Sequence, residues 1–349
     1  MRFGVLYDFR NPAKQQWHVP WSEFYGATFE HMEEVERLGF HAISLCEHHG
    51  DPDGYNPGLP VTLATAASRT STIRIGTNIM QVPFYHPVLL AEQLAVLDVV
   101  SGGRLDVGLG QVGPTFDMEF PMFGINPRNR PSMLDEGLDI MTRAWRSPEP
   151  FSYHGKRWQL DDVWLNPKPL QDPLPVWVVA AFSEKAMDRV AGRGLDVGAQ
   201  GGYFLGLTGG ETWKQWLTAW HAACERAQRP HDYAQIYTFG TCYVTDDPEK
   251  AWAEHREGLF HAFHYERAGL HPYSSLMMET VPQTPEDMPG WENLFQTPEQ
   301  AIAQLRADYA DGAPTELHLM AHRPGMTFEQ STQYLRNFAE KVMPEVAHL

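Results

Sequence analysis

Short apolar and β-branched runs alternate along the chain with longer segments whose apolar residues recur at helical spacing. The runs that predict strands are 3–9, 42–46, 73–79, 105–109, 176–180, 196–199, 236–244 and 316–320. Strands separated by helical segments are typical of βα units and a parallel sheet. The pattern therefore predicts an α/β protein with a parallel, eight-stranded sheet.

Amphipathic segments that predict helices follow most of these strands. They cover 24–38, 87–100, 132–145, 183–191, 211–227, 248–263, 298–309 and 327–342. In the first of them, apolar side chains fall largely on one stripe, as expected of a helix packed on a barrel. Eight-stranded α/β barrels take about 250 residues and tolerate insertions up to about 400. We therefore predict a single (β/α)₈ TIM barrel over residues 1–349, with insertions.

Two stretches depart from the repeat. Residues 150–171 predict a hairpin or an irregular excursion, with its turn at His154 and Gly155. Residues 269–297 are rich in proline, methionine and polar residues. A long loop in a compact domain is commonly a lid, a binding loop or a disordered segment. For 269–297, a mobile active-site lid and a passive surface excursion are both open.

The charge balance narrows the classes of partner. The chain has 27 basic and 44 acidic residues, a net charge of −17, and no segment concentrates Lys and Arg. Nucleic acids and anionic membrane surfaces would be repelled. The N-terminus does not resemble a secretion signal, and no run of about 18 apolar residues occurs. We expect a cytoplasmic protein that binds neither nucleic acid nor membrane.

The three cysteines argue against a thiolate metal site. Cys46, Cys224 and Cys242 form an odd set without CxxC spacing. An odd set does not suit a disulfide framework, and structural zinc sites usually show closely spaced pairs. Reduced, mostly buried thiols are expected.

Candidate catalytic residues follow the second predicted strand. In an α/β barrel of this kind, catalytic groups lie where strands end and βα loops begin. Glu47, His48 and His49 occupy that position. Adjacent histidines on an extended segment point to opposite sides, so one should face the barrel mouth. Taken alone, such a pair is more commonly explained by histidines of the core or the surface, and the local spacing offers no third metal ligand.

Glycines follow the third and fourth strands. Gly76, Gly108 and Gly110 lie where two neighbouring strands end, and missing side chains would let a flat ligand approach the backbone. Gly108, Gly110 and Gly113 also match GxGxxG, but a dinucleotide-binding motif needs a helix after the third glycine. Pro114 follows here and the segment predicts a loop, so we reject a Rossmann fold.

A helix start follows the fifth strand. Ser183 is a candidate N-cap, and free amides at a helix start can bind phosphate. A plain helix cap needs no ligand, so this feature alone does not decide between the two.

Several motifs occur in order through nearly the whole chain. They are LGFHAISLCEHH (38–49), GTNI (76–79), VPFYHP (82–87), SGGRLDVGLG (101–110), PVWVVAAFS (175–183) and TPEQAIAQLRADY (297–309). Together they resemble the bacterial luciferase-like family of flavin-dependent monooxygenases, in particular the luciferase α chain.

The resemblance assigns roles to residues around the flavin ring. His48 matches the family's catalytic histidine, and Asn78 and Ile79 match a cis peptide that presses on the isoalloxazine. Gly110 replaces a reactive cysteine of the luciferase α chain, which excludes thiol chemistry there. Gln111 replaces an arginine that binds the flavin phosphate.

The same resemblance implies a phosphate site. Another phosphate-binding arginine is expected at Arg130 or, alternatively, Arg128. The helix start that holds the phosphate matches Ala181, Phe182, Ser183 and Glu184, although the side chains differ from those of the family. No metal is implied.

The resemblance also implies an activity. A separate flavin reductase would supply reduced FMN, which reacts with O₂ to form a flavin 4a-hydroperoxide and oxygenates a small apolar organic substrate. His48 would donate or accept a proton. A homodimer through the helices beside the second and third strands is expected. A deazaflavin-dependent hydride transferase and a non-catalytic flavin-binding barrel are the alternatives.

Overall fold

Eight parallel strands close into a barrel in this computed structural model, which describes residues 1–12, 15–180, 183–199, 210–264, 282–288 and 290–349. In chain order the strands are β1 (Arg2–Tyr7), β2 (Ala42–Leu45), β3 (Arg74–Thr77), β4 (Met80–Gln81), β5 (Leu105–Gly110), β6 (Phe151–His154), β7 (Gln159–Val163), β8 (Val176–Ala180), β9 (Asp196–Ala199), β10 (Ile236–Gly240), β11 (Tyr243–Val244), β12 (Phe295–Gln296) and β13 (Glu316–Met320). The barrel order is β3-β2-β1-β13-β10-β9-β8-β5, and pairing of β3 with β5 completes the ring. The predicted barrel is confirmed.

The helices pack around the outside of this ring. They are α1 (Trp21–Arg37), α2 (Leu59–Arg69), α3 (Pro87–Val100), α4 (Arg130–Arg146), α5 (Glu184–Arg193), α6 (Gly210–Arg226), α7 (Pro248–His264), α8 (Pro298–Asp308), α9 (Phe328–Asn337) and α10 (Met343–Val346). None of the helices in the described ranges is long and apolar enough to cross a membrane.

Helix α2 was not predicted from the sequence. Its buried face consists of Leu59, Thr62, Leu63, Ala66 and Ala67. Threonine and alanine make a thin apolar stripe, which hides the helical period that larger side chains reveal. The packing of α2 against α1 and α3, which a single sequence does not reveal, stabilises this helix.

The predicted strand 236–244 is wrong in its second half. Strand β10 ends at Gly240, and Tyr243 begins β11, which pairs with β12 outside the barrel. The Tyr243 ring lies 5.3 Å from that of Phe295, inside a separate apolar cluster beneath α7. Burial of these rings in a second cluster draws the chain out of the barrel sheet.

The insertion at 150–171 contains the predicted hairpin, formed by β6 and β7. Glu136 of α4 anchors its turn, because its carboxylate accepts hydrogen bonds from the backbone amides of Lys156, Arg157 and Trp158 at 2.9–3.1 Å.

In the second insertion, residues 269–281 and 289 lie outside the described residues, so the predicted lid remains a prediction. Met288 and Leu294 are buried in the apolar cluster beneath α7.

The barrel interior is filled by side chains. Trp177 and Tyr237 stack across it with ring centroids 5.0 Å apart. A side chain at Gly108 or Gly198 would collide with the Trp177 indole, so these glycines make room for it. Below the indole, His318 bonds Ser44 and Glu316, both at 2.6 Å. A ligand can therefore reach the barrel only at its rim.

One histidine is buried without charge between the barrel and the outer helices. His31 of α1 is 3% exposed, and its Nδ1 lies 2.8 Å from the hydroxyl of Tyr7. Burial, together with the nearby His322, lowers the pKa of His31 from 6.5 to about 3. The folded state therefore binds a proton at this site less readily than the unfolded chain does.

This burial predicts acid sensitivity. The contribution of neutral His31 to the free energy of unfolding is fully present above pH 6.5, and it is lost as the pH falls toward 3. Over that window we expect the stability difference between wild type and His31→Gln to shrink by about 1.4 kcal/mol per pH unit. Unfolding midpoints of both proteins measured from pH 7 downward test this. The exposed His154→Gln serves as control, and a pH-independent difference for His31→Gln would contradict the prediction.

Candidate functional site

His48 lies immediately beyond β2, at the carboxyl edge of the barrel. Its Nδ1 is 2.7 Å from Oε1 of Glu119, a side chain that is only 1% exposed. The backbone amide of His48 donates to the carbonyl of Tyr55 at 3.0 Å. The Tyr55 ring also packs edge-on against the imidazole with centroids 4.5 Å apart. The imidazole is thus held on two sides.

Glu119 holds both members of the histidine pair. Its second oxygen accepts a hydrogen bond from the His49 backbone amide at 3.2 Å. An ionised carboxylate can only accept hydrogen bonds, so Nδ1 of His48 must carry the proton between the two side chains. In the neutral imidazole, Nε2 then keeps its lone pair and can take up a proton. The arrangement suits a general base whose orientation is fixed by a buried carboxylate.

Two glutamines present buried, unpaired carbonyl oxygens at the same edge. The amide nitrogen of Gln81 donates to the Glu47 backbone carbonyl and lies 3.0 Å from Nδ1 of His48. In the tautomer that donates from Nδ1 to Glu119, this second contact cannot be a hydrogen bond, because a protonated Nδ1 does not accept. Oε1 of Gln81 and Oε1 of Gln111 are buried and have no hydrogen-bond partner among the described residues. Pairing of Gln81 with Gly110 places these glutamines on neighbouring strands.

Glu47 ties the ends of β2 and β4 together. Its carboxylate accepts the Gln81 backbone amide at 2.7 Å and the hydroxyl of Tyr85. Burial, and then the charge of Glu47, raise the pKa of Tyr85 far above its usual range. The Tyr85 hydroxyl therefore stays protonated and acts as a donor. These bonds fix Gln81 relative to the loop that carries His48.

His49 has different surroundings from His48, as the alternation of an extended segment predicts. Its ring lies 5.3 Å from Phe84 and 4.8 Å from Phe123, and those two rings stack on each other at 4.4 Å. Across the described ranges, no three His, Cys, Asp or Glu side chains form a group that could hold a metal ion. His49 is a packing residue of this edge.

The peptide bond between Asn78 and Ile79 is cis, at the position that the resemblance implies. The Ile79 side chain occupies the space beside Gly110, where any larger residue would collide with it. Glycine at position 110 therefore makes room for the Ile79 side chain, and the expected approach of a flat ligand to this strand end stays a prediction. The cofactor contacts of Asn78, Ile79 and Gly110 stay predictions.

The predicted arginines lie on the segment that carries Glu119. Arg130 begins α4, and its guanidinium lies 5.6 Å from the centroid of the Phe120 ring. Arg128 is exposed in the preceding turn, where its amide donates to the side chain of Asn126 at 3.0 Å. Arg130 is therefore better placed than Arg128 to reach a ligand near His48.

The predicted phosphate-binding helix start is present at α5. Ser183 occupies the N-cap position, yet its side chain caps none of the described helix amides, contrary to the expected cap. A carboxylate oxygen of Glu184 lies 3.6 Å from the guanidinium of Arg226 in α6. Ala181 and Phe182 lie outside the described residues.

Sequence reasoning missed Glu119 and Gln81. Gln81 follows the third predicted strand, so its position alone could have marked it. Glu119 lies in a 3-10 segment, Pro114–Phe123, that shows no periodicity. Only closure of the barrel places that segment over the loop after β2.

The profile described as luciferase-like monooxygenase matches residues 1–316. The chain is 26% identical over 367 residues to the oxygenase component of a flavin-dependent trigonelline monooxygenase from Acinetobacter baylyi, covering 99% of this chain and 95% of that protein.

Solved structures share the fold. The oxygenating constituent of 3,6-diketocamphane monooxygenase from Pseudomonas putida, in complex with FMN, superposes with a TM-score of 0.78 at 20% identity, covering 99% of this chain and 98% of that one. An F420-dependent secondary alcohol dehydrogenase superposes with a TM-score of 0.73 at 17% identity, covering 99% and 98%. The fold alone does not distinguish the two cofactors.

The contact between His48 and Glu119 predicts one imidazole tautomer. At mildly alkaline pH we expect His48 to carry its proton on Nδ1, because only that form donates to the carboxylate. Long-range proton–nitrogen NMR spectra of histidine-labelled protein report the tautomer. Glu119→Ala should shift the proton toward Nε2, whereas Glu119→Gln, which keeps an acceptor oxygen, should shift it less. A wild-type His48 protonated only on Nε2 would contradict the assignment.

Proposed function

The chain belongs to the luciferase-like monooxygenase family, and we propose that it is an oxygenase component that uses reduced FMN and O₂ to oxygenate a small apolar organic substrate. A separate flavin reductase would supply the reduced FMN, through a transient encounter. The observation that carries this proposal is the His48–Glu119 pair at the barrel rim, beside two glutamine oxygens that have no hydrogen-bond partner in the part of the chain that the structure describes.

The described residues fit a reduced flavin. The buried oxygens of Gln81 and Gln111 each need a hydrogen-bond donor, since an unpaired buried acceptor is costly. The ring system of reduced FMN carries N–H groups that can satisfy them. Asn78, Ile79 and Gly110 would then border the ring. When bound, reduced FMN supplies the electrons that activate oxygen.

Two parts of the chain would bind the phosphate of the flavin. The amides that begin α5, at Ser183 and Glu184, are free of side-chain caps within the described part of the chain. A helix start favours an anion. Ala181 and Phe182 complete this segment in the proposal, and Arg130 adds a positive charge. The side chain of Gln111 is neutral and would add no positive charge to the phosphate site.

His48 would accept and donate a proton during the reaction. Glu119 keeps Nδ1 protonated, so Nε2 can take a proton from the substrate or return one. Beneath the rim, Leu6, Cys46, Tyr55 and Met320 form a small buried apolar cluster.

We also propose that the protein forms a homodimer through α2 and α3. These helices present an exposed apolar groove of about 650 Å³. Val61 is 71% exposed, Val96 45% and Val100 58%. Oε1 of Gln93 lies buried in the same groove without a partner among the described residues. A second copy could cover the valines and supply Gln93 with a donor, as a two-fold interface does with one surface.

The cofactor experiment tests the function. Anaerobic titration should show that the protein binds reduced FMN, and with labelled O₂ and a panel of small apolar substrates the label should enter product. A reduced deazaflavin is the parallel arm. Hydride transfer from the deazaflavin, with no oxygen-dependent product from FMN, would reject the proposal. His48→Ala should bind FMN nearly as wild type does and make product about 100- to 10 000-fold more slowly.

His154→Ala is the matched control, because this histidine is exposed on the hairpin. It should leave both binding and turnover unchanged. Unchanged turnover in His48→Ala would remove the role of His48. The absence of any product, with FMN bound, would favour a non-catalytic flavin-binding barrel.

The dimer is tested by placing a charge in the groove. Val96→Glu should convert dimer to monomer in sedimentation velocity, because two carboxylates would be buried across the two-fold axis. Thr218→Glu is the control, since Thr218 is exposed on α6, which packs against α5 and α8. A wild-type monomer, or a Val96→Glu dimer of wild-type affinity, would show that this face is not the interface.

A further inference from the structure

The segment Pro114–Phe123 clamps the loop after β2 at three successive points. Glu119 bonds His48 and the amide of His49, and Phe123 packs on the His49 ring. Met122 makes the third contact, because its side chain lies against Gly50. The loop that carries the catalytic histidine therefore depends on this segment for its position.

The contact of Met122 is tight and open to solvent. A Cβ at residue 50 would lie 2.5 Å from Sδ of Met122, so the thioether occupies the space that a side chain would need. Gly50 has a φ of +69°, a conformation that favours glycine. At the same time, Met122 is 63% exposed. Solutes can therefore reach this residue without any opening of the fold.

Other sulfur atoms are less accessible or lie away from the loop. All three cysteines are buried, and burial raises the pKa of the Cys242 thiol to about 12. Thiols in this state react poorly with oxidants. Within the described residues, Met118 and Met122 are the exposed methionines. Met118 is 41% exposed on the same segment, which makes it an internal comparison for Met122.

We propose that Met122 is an oxidation site that controls the position of the His48 loop. Hydrogen peroxide transfers one oxygen to the thioether, which is oxidised to methionine sulfoxide, and the peroxide is reduced to water. The sulfoxide is larger and polar, so it no longer fits against Gly50 and draws Met122 into solvent. The clamp on the His48 loop loosens and turnover falls.

The source of peroxide, but not the site, rests on the proposed function. Reduced flavin that reacts with O₂ without substrate releases hydrogen peroxide at this rim. A monooxygenase that runs without substrate would then oxidise its own clamp. Methionine sulfoxide reductases reverse the oxidation, so the loss of turnover would be reversible.

The experiment first treats the flavin-free protein with hydrogen peroxide. Peptide mass spectrometry should find sulfoxide at Met122 before the buried methionines, and hydrogen exchange at the amides of His48 and His49 should speed up severalfold. Met122→Leu, which keeps the volume but cannot be oxidised, should show neither the modification nor the faster exchange. Met118→Leu should still show both, and methionine sulfoxide reductase should restore slow exchange.

Turnover is then measured as a separate readout. Oxidised wild type and oxidised Met118→Leu should lose activity severalfold, whereas peroxide-treated Met122→Leu should retain it. Unchanged exchange at His48 and His49 in protein oxidised at Met122 would overturn the proposal, as would equal losses in Met122→Leu and wild type. Because mapping and exchange use no flavin, they decide the site even if the proposed monooxygenase activity fails.

Discussion

Closure of the barrel between β3 and β5 is the constraint on which the candidate site depends. This pairing joins the two ends of the sheet and sets the segments that follow β2, β4 and β5 side by side. His48, Gln81 and Glu119 come from those three segments, separated by as many as 71 residues in the chain. Because Trp177 and Tyr237 fill the interior, these side chains have only the rim on which to meet a ligand.

Burial of Glu119 explains why the rim is ordered. A buried carboxylate is costly unless donors surround it, and Glu119 finds two of them in the His48 ring and the His49 amide. The same requirement acts on Glu47, which recruits Tyr85 and the Gln81 amide. Each carboxylate thus ties its own segment to another one. Removal of either carboxylate would leave two donors on that other segment without their acceptor.

The sequence alone was sufficient for most of the barrel and for part of the site. Strand runs and helical spacing mark elements whose large apolar residues repeat, and α2 escaped because alanine and threonine line its buried face. His48 could be found because the ends of barrel strands carry function. Glu119 could not, since its partner lies far away in the chain. Ser183 was placed correctly at a helix start, but its missing side-chain bond depends on a rotamer that a single sequence does not fix.

Two buried acceptor oxygens at this rim limit what can bind. The carboxylates of Glu47 and Glu119 accept from the Gln81 amide, the Tyr85 hydroxyl, the His48 ring and the His49 amide, while the oxygens of Gln81 and Gln111 have no hydrogen-bond partner among the described residues. A ligand seated here must therefore bring N–H or O–H groups of its own. Its anionic end must lie elsewhere, because two buried carboxylates would repel a phosphate. The proposed flavin would meet both conditions with its ring at the glutamines and its phosphate at the start of α5 or at Arg130.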